Sequence, residues 1–342
     1  MVDRSFSALA VHWFFRVIAG VSVLAAAGCV TVVEPARPET LPIIDAHGHL
    51  NADMPAEELV SLMDKSGVAM MVLMPRFYRG SFDAGGASDA LARQHAERFP
   101  GRFIPFVGGQ RPDLGQRQRA VWEGATPTGD AFLKTARQEL ETGRFRGLGE
   151  FILRHYSYTV VGGQGGGDVD LPVDGYLMHR IAELGAEFGV PVLVHLEAEP
   201  APAAAMERVV AAFPGTRFIW AHSCGRSSAA SIGALLERFP NLMCDLGGMA
   251  PVTSGGYGTY WPRRTPWIHL LEDGSGTLDP DMKALFERFP DRFMLGTDIA
   301  HTPVLQRHAD TIRRLRVWLS QLSPATARRI ASDNAKEVFK LD

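Results

Sequence analysis

Residues 97–104 read ERFPGRFI, a stretch in which a helix ends and a strand begins. Phe99 is the last apolar anchor of an amphipathic run, Pro100 prevents the helix from continuing, and an apolar run starts at Phe103. Similar junctions recur at residues 212–219, 237–243 and 287–294. Four copies of one helix-to-strand junction indicate a repeated βα unit.

The apolar runs of the chain supply eight strand candidates. They are residues 41–46, 68–74, 102–107, 144–149, 191–195, 217–222, 241–246 and 292–297. Amphipathic stretches predict helices at residues 55–66, 87–98, 129–141, 174–188, 201–212, 226–238, 279–288, 305–321 and 324–339. Eight alternating units over about 300 residues predict an α/β fold, a single-domain (β/α)8 TIM barrel, rather than an open sheet. Pro105 removes a ladder donor, so the third strand is expected to be short or irregular.

Composition limits the classes of partner. The 342 residues are 46% hydrophobic and carry a formal net charge of −3. This is enough apolar material for a substantial core. Neither the charge nor any long basic run indicates nucleic acid as a partner, so a small-molecule substrate is expected.

The first 28 residues resemble a bacterial lipoprotein signal. Their apolar stretch, residues 17–28, is shorter than the roughly 20 residues that span a bilayer, and it ends in small residues directly before Cys29. We expect a signal peptide over 1–28, a tether over 29–40 that begins with a lipidated Cys29, and the folded domain over 41–342. The protein would then be anchored in the cell envelope by lipid alone, facing the periplasm. Ordinary secretory cleavage nearby, with a free Cys29, is the alternative.

Two histidines follow the first predicted strand, in the sequence Asp45-Ala46-His47-Gly48-His49. Side chains two residues apart on a strand point to the same face, so both imidazoles can reach one ion. Gly48 is expected to leave room for close approach. We interpret the pair as one part of a metal site.

Four more potential ligands end later predicted strands. Glu150 follows the fourth strand, His195 ends the fifth, His222 ends the sixth and Asp298 follows the eighth. The carboxyl ends of barrel strands share one rim, where the active sites of such barrels form. These side chains are therefore expected to converge with His47 and His49 into one metal centre.

The same residues resemble the amidohydrolase superfamily, in its amidohydrolase-related branch (amidohydrolase 2). The resemblance covers residues 41–341 and includes the closing helix, residues 331–339. It implies that one metal is held by His47, His49 and Asp298 and a second by His195 and His222. Glu150 would bridge the two ions, where many relatives use a carboxylated lysine. A single-metal site with Glu150 beside it remains the alternative.

Mixed imidazole and carboxylate ligands favour Zn²⁺, with Mn²⁺ and Fe²⁺ as alternatives. The expected reaction is attack of metal-activated hydroxide on a small ester, lactone, amide or phosphoester. Asp298 would be the catalytic residue that takes the proton from water and passes it to the leaving group. The rival reaction within the superfamily is non-oxidative decarboxylation with one metal. A rival of another class is an envelope solute-binding lipoprotein without activity.

Two long connections and one residue near the rim supply candidate substrate contacts. The loop over residues 155–168 is either a mobile lid, from which His155 and Tyr156 would contact substrate, or a flexible insertion without a functional role. Arg263, in the connection after the seventh strand, is either a carboxylate clamp or a surface charge, and His301 could position substrate.

Two further cysteines lie in the predicted barrel. Cys224 and Cys244 are expected to be buried structural thiols, because two cysteines do not make a disulfide framework.

Overall fold

The computed structural model describes residues 40–77, 86–156, 158–160, 163–165, 167–249, 271–272, 274–300 and 302–341. Contacts divide the chain into two units, Met1–Pro35 and Ala36–Asp342, and every described residue belongs to the second unit. The predictions for Cys29, Arg263 and His301 lie outside the described residues.

Strands occur near all eight predicted positions. In chain order the strands of the described ranges are β1 (Ile43–Asp45), β2 (His49–Leu50), β3 (Val68–Pro75), β4 (Phe103–Pro105), β5 (Leu148–His155), β6 (Tyr158–Val160), β7 (Gly163–Gly165), β8 (Val169–Asp170), β9 (Val192–Leu196), β10 (Phe218–Trp220), β11 (Leu242–Asp245) and β12 (Phe293–Met294). The largest shift is in the fourth predicted strand, which begins at Leu148 rather than at residue 144. Residues 144–147 approach the sheet but form no ladder of their own.

Helices alternate with these strands. They are α1 (Ala56–Ser66), α2 (Asp89–Arg98), α3 (Arg119–Glu123), α4 (Pro127–Glu141), α5 (Tyr176–Phe188), α6 (Pro200–Ala212), α7 (Ala221–Arg226, a left-handed turn), α8 (Ala229–Arg238), α9 (Pro280–Arg288), α10 (His308–Leu319), α11 (Pro324–Arg328) and α12 (Asn334–Phe339). A π-helical turn, Arg329–Asp333, interrupts the last predicted helix between α11 and α12. Gly67 ends α1 in the left-handed conformation (φ 70°), as expected for a glycine stop. Within the described ranges, every helix is too short or too polar to span a bilayer.

Apart from the antiparallel pair β6–β7, the described strands form two mainly parallel sheets and not the single closed sheet of the prediction. One sheet has the order β1-β3-β2 with β4 paired to β3, and the other has the order β12-β11-β10-β9-β5-β8, in which β8 is antiparallel. Several backbone hydrogen bonds cross each junction, among them those from Ala46 N to Leu295 O (2.9 Å) and from Val107 N to Gly147 O (3.0 Å). The ladders break there because the junction strands are short. Pro105, which has no N–H, ends β4.

Alternating side chains of the strands enter two hydrophobic cores. Ile43 and Met71 belong to the outer core, which the helices cover, whereas their chain neighbours Ile44 and Val72 belong to an inner core between the sheets. Phe339 of α12 closes this inner core, with its ring 5.4 Å from that of Phe106.

Cys224 and Cys244 form a disulfide, so the prediction of two buried thiols was wrong. Both residues are fully buried, as predicted. The parallel pairing of β10 with β11 places Trp220 beside Cys244, and the turn after β10 returns Cys224 to within 5.0 Å between Cα atoms. The distance in space that permits the bond was not readable from the sequence.

Candidate metal centre

The six predicted ligand residues converge at one end of the sheets. His47 follows β1, His195 is the fourth residue of β9, and His222 comes two residues after β10. Asp298 follows β12 after a short loop. Glu150 is the third residue of β5 and not its end, because this strand begins and ends later than predicted.

Glu150 lies between two pairs of histidines. Its Oε1 is 3.5 Å from Nε2 of His47, 3.2 Å from Nδ1 of His195 and 3.4 Å from Nε2 of His222. Its Oε2 is 3.4 Å from Nε2 of His49. One carboxylate therefore faces all four imidazoles, and the Glu150 side chain is only 3% exposed.

Asp298 faces the first pair from the pocket side. Its Oδ1 lies 3.2 Å from Nε2 of His49 and 3.5 Å from Nε2 of His47. The backbone of Asp298 is left-handed (φ 56°), which is uncommon for a residue with a side chain, and its N–H donates to the carbonyl of His47 at 2.7 Å. Its side chain is 26% exposed, whereas those of the facing histidines are buried. Asp298 is thus the most accessible group of this half of the site.

Ring nitrogens of the histidines approach one another inside the site. Nδ1 of His222 donates to the carbonyl of Gly247 at 2.8 Å, so its Nε2 is unprotonated in the neutral ring and points to Nδ1 of His195 at 2.7 Å. Nε2 atoms of His47 and His49 likewise face each other at 3.3 Å.

The donor set fits divalent metal ions. Three groups of side chains each place ligand atoms within 4.8 Å of one another, namely His47, His49 and Glu150; His47, His222 and Asp298; and Glu150, His195 and His222. Converging imidazole nitrogens and carboxylate oxygens are typical of sites for Zn²⁺ and similar ions.

Electrostatics distinguish the acidic from the basic groups. Burial alone would lower the pKa of His47, but the carboxylates of Asp245, Glu150 and Asp298 outweigh it and raise that pKa to about 10. Burial would raise the pKa of Asp298, but the neighbouring histidines, His47 first, hold it below its usual range. The pKa of Glu150 is likewise held well below its usual range. The carboxylates are therefore ionised, as ligands must be.

Three supporting side chains were not predicted. Asp245 accepts a hydrogen bond from Nδ1 of His47 at 3.0 Å, and Gln110 donates from Nε2 to Oε2 of Glu150 at 2.7 Å. Glu197 lies with Oε1 3.3 Å from Nε2 of His195. Two of these had a signal in the sequence: Asp245 lies near the end of the predicted seventh strand, and Glu197 follows His195 by two residues, just beyond the predicted fifth strand. Gln110, in a loop, had none.

The turn after β10 has an unusual backbone. Residues 222–226 all have positive φ, between 50° and 70°, although only Gly225 lacks a side chain. A left-handed conformation costs about 1–2 kcal/mol per ordinary residue. Tertiary contacts compensate this cost: the N–H of His222 donates to Oδ1 of Asp245 at 3.3 Å, and the disulfide holds Cys224.

A pocket of about 340 Å³ opens onto the metal centre. Its walls include His49, Asp298, Arg76, Arg111, Trp122 and His155. His155 therefore lies where a substrate contact was predicted; burial, together with the charge of His195, lowers its pKa to about 4.

Tyr156, also predicted to contact substrate, is not among the lining residues. Its hydroxyl donates to Glu199. The loop over 155–168 is described only in part, as the antiparallel pair β6–β7 and the pairing of β8 with β5, so its role as a lid stays a prediction.

Comparison with known proteins gives one family and several related folds. A family model described as Amidohydrolase matches residues 44–341. A structure of a probable 2-pyrone-4,6-dicarboxylic acid hydrolase from Acinetobacter baumannii, with citric acid bound, has 13% identity and a TM-score of 0.54, covering 88% of this chain and 100% of that chain. A putative hydrolase of the same acid from Pseudomonas putida has 16% identity and a TM-score of 0.53, covering 88% and 98%.

A third structure is a 4-oxalomesaconate hydratase from Rhodopseudomonas palustris. It has 13% identity and a TM-score of 0.53, covering 87% of this chain and 96% of that chain. No match was found among curated proteins. At these identities the structures show a shared fold and do not determine the reaction.

Proposed function

Because this chain belongs to the amidohydrolase family, we propose that it is a metal-dependent hydrolase that acts on a small molecule at the centre around Glu150. We further propose that its strands form a (β/α)8 barrel. The backbone hydrogen bonds at both sheet junctions and the order of elements along the chain support the barrel.

One observation carries the proposal of hydrolysis. The Glu150 carboxylate directs one oxygen to His49 and the other to His47, His195 and His222. A carboxylate in this position can be shared by two ions, and paired metals stabilise both the attacking and the leaving oxygen of a displacement. We therefore favour a binuclear hydrolase over a mononuclear decarboxylase.

Divalent ions bound here would polarise the scissile carbonyl or phosphoryl group and acidify water. The chain would supply the remaining functions. Asp298 is ionised and faces the pocket, so it is placed to accept a proton from the attacking water and to return it to the leaving group. The ions would be held by His47, His49, His195 and His222, and Zn²⁺ is the favoured metal.

The pocket limits the substrate. A volume of about 340 Å³ admits a compact molecule, such as a small ester, lactone, amide or phosphoester. Arg76 and Arg111 line the pocket, and we expect an acidic group of the substrate to face them. Trp122 and Ile152 provide an apolar wall for the rest of the molecule.

Metal content per chain is the first test. We would measure it by elemental analysis of the full chain, beside Glu150→Gln and a control, Glu272→Gln, whose carboxylate is buried elsewhere against Trp318 and Arg314. Two equivalents in wild type and control, falling to one or fewer in Glu150→Gln, would support the binuclear hydrolase. One equivalent in all three would favour decarboxylation, and none would contradict the metal centre.

Activity is the second test, with panels of esters, lactones, amides and phosphoesters. Hydrolysis that needs the metal and is lost in Glu150→Gln would support the proposed reaction. Stabilisation by a small molecule without any turnover would instead favour the non-catalytic binding protein.

We also propose that the protein is exported, with Cys29 as the site of lipidation. The disulfide between Cys224 and Cys244 supports export, because such bonds persist mainly in oxidising compartments such as the periplasm. Labelling of cells with a radioactive fatty acid would test the anchor: wild type should be labelled and Cys29→Ala should not.

A further inference from the structure

Behind His195, on the side away from Glu150, lies a buried ion pair between Glu197 and Arg226. Glu197 is fully buried and Arg226 is 1% exposed. Nη1 of Arg226 donates a hydrogen bond to Oε1 of Glu197. A buried charge is costly unless it is paired, and this pair is buried as deeply as the metal ligands.

The same carboxylate oxygen faces the rear nitrogen of His195. Oε1 of Glu197 lies 3.3 Å from Nε2 of His195, while Nδ1 of that ring points to Oε1 of Glu150 (3.2 Å) and Nε2 of His222 (2.7 Å). Nε2 makes no hydrogen bond with the described residues, and Oε1 of Glu197 is a carboxylate oxygen close enough to receive a proton placed on it. Nδ1 would then keep its lone pair toward the site, as a metal ligand requires.

The backbone connects the ion pair to both histidines of this half of the centre. Glu197 is two residues after His195, and Arg226 ends the left-handed turn that begins at His222. The N–H of Ala198 donates to the carbonyl of Gly225 at 3.2 Å, which joins the two segments directly. A Cβ at Gly225 would lie 2.4 Å from Leu196 O, so this approach requires glycine.

We propose that Glu197 is a positioning residue for metal binding by His195, and that Arg226 holds its carboxylate in place. This inference rests on the proposed function, because it needs a metal at the His195 and His222 half of the centre. Arg226 neutralises the buried carboxylate. The role of Glu197 is therefore to select the tautomer and orientation of the His195 ring. Loss of such a partner typically weakens metal affinity by about 10- to 100-fold.

Titration of the metal-free full chain with Co²⁺ tests the proposal, because visible absorption reports the nitrogen ligands of each ion as it binds. We expect wild type to bind Co²⁺ in two steps. Glu197→Gln should weaken one step by about 10- to 100-fold and leave the other unchanged. Glu272→Gln, which disturbs a buried Glu–Arg pair away from the centre, should titrate like wild type.

A double mutant separates positioning from general damage. If Glu197 acts through His195, adding Glu197→Gln to His195→Ala should change neither Co²⁺ step further. If the two substitutions act independently, their effects on Co²⁺ affinity should be additive. Glu197→Asp is the second variant, in case Glu197→Gln does not fold. It keeps the charge beside Arg226 but withdraws the carboxylate from His195, so we expect the same step to weaken.

The possible results separate the positioning role of Glu197 from the proposed binuclear metal centre. Wild type that binds fewer than two Co²⁺ ions would contradict the proposed binuclear centre. Wild type that binds two, with Glu197→Gln or Glu197→Asp titrating identically, would overturn the positioning role alone. Additive effects in the double mutant would also overturn it.

Discussion

Nδ1 of His47 lies 3.0 Å from Oδ2 of Asp245, and both side chains are fully buried. The other oxygen of Asp245 accepts the N–H groups of Gly247 at 2.8 Å and His222 at 3.3 Å. One carboxylate at the end of β11 therefore orients the ring of one ligand and the backbone of another. Carboxylates behind metal-binding histidines set the tautomer and raise the basicity of the ligand.

Replacing Asp245 with asparagine should weaken metal binding. An amide keeps the shape but loses the charge that holds the proton on Nδ1 of His47, so we expect affinity to fall by about 10- to 100-fold. Competition with a coloured chelator would measure this. Asp279→Asn is the control, because asparagine caps the start of α9 as well as aspartate does. Unchanged affinity in Asp245→Asn would show that His47 is oriented by other contacts.

Asp298→Asn should reduce turnover more than it reduces metal binding. The amide can still offer an oxygen to the ion but cannot accept a proton, and general acid–base groups contribute typically about 10²- to 10⁴-fold to rate. The measurement is kcat at saturating metal, with a substrate found in the hydrolysis panels. If kcat recovers fully once metal is in excess, Asp298 is a ligand only and another group accepts the proton.

The convergence of the six candidate ligand residues could be predicted because each follows or ends an apolar run in a repeated unit. The repeat places such positions on one rim, whichever residues fill the helices between them. Asp245 lies next to the last residue of the seventh run, and a lone aspartate there has no histidine pattern to single it out. Gln110 depends on the course of a loop, which no period predicts. Sequence period thus locates rim positions but not the loop groups that support them.

Gly48 shows what the structure adds to a local prediction. The sequence predicted that this glycine leaves room for close approach. A Cβ at Gly48 would lie 2.7 Å from the backbone oxygen of Val72, so the close approach is the contact between β3 and the chain after β1. Sheet closure also depended on local detail, because Pro105 and the two-residue β12 interrupt the ladders at the junctions.

Removing the disulfide should lower stability and disturb His222. A cross-link that closes a loop of this length, over a sequence separation of 20, contributes about 3 kcal/mol in the chain-entropy account. We expect the free energy of unfolding of the double variant Cys224→Ala/Cys244→Ala, measured with denaturant, to be lower by about this amount. We also expect weaker metal binding, because Cys224 lies in the left-handed turn. Since both cysteines are fully buried, dithiothreitol should not change folded wild type. Rapid reduction of the native protein would contradict this burial.

A buried histidine outside the centre should govern part of the acid sensitivity. His308, at the start of α10, is 1% exposed, and burial lowers its pKa to about 4. In the unfolded chain the His308 imidazole becomes protonated near pH 6.5, and in the folded chain only near pH 4. The contribution of this group to the free energy of unfolding is therefore fully present above pH 6.5. It is lost as the pH falls toward 4, by up to about 3 kcal/mol.

The test is denaturant unfolding of metal-free protein at pH 7 and pH 4.5, for wild type and His308→Gln. Asp45, whose pKa burial raises to about 6, changes stability in the opposite direction over this range. Its Oδ2 lies 3.9 Å from Nε2 of His308, so the difference between the two proteins reports the histidine together with its effect on Asp45. We expect wild type to lose more stability than His308→Gln on acidification. His179→Gln, an exposed histidine paired with Asp174, serves as control and should behave like wild type. Equal losses in wild type and His308→Gln would mean that His308 takes up its proton in the folded chain as readily as in the unfolded one.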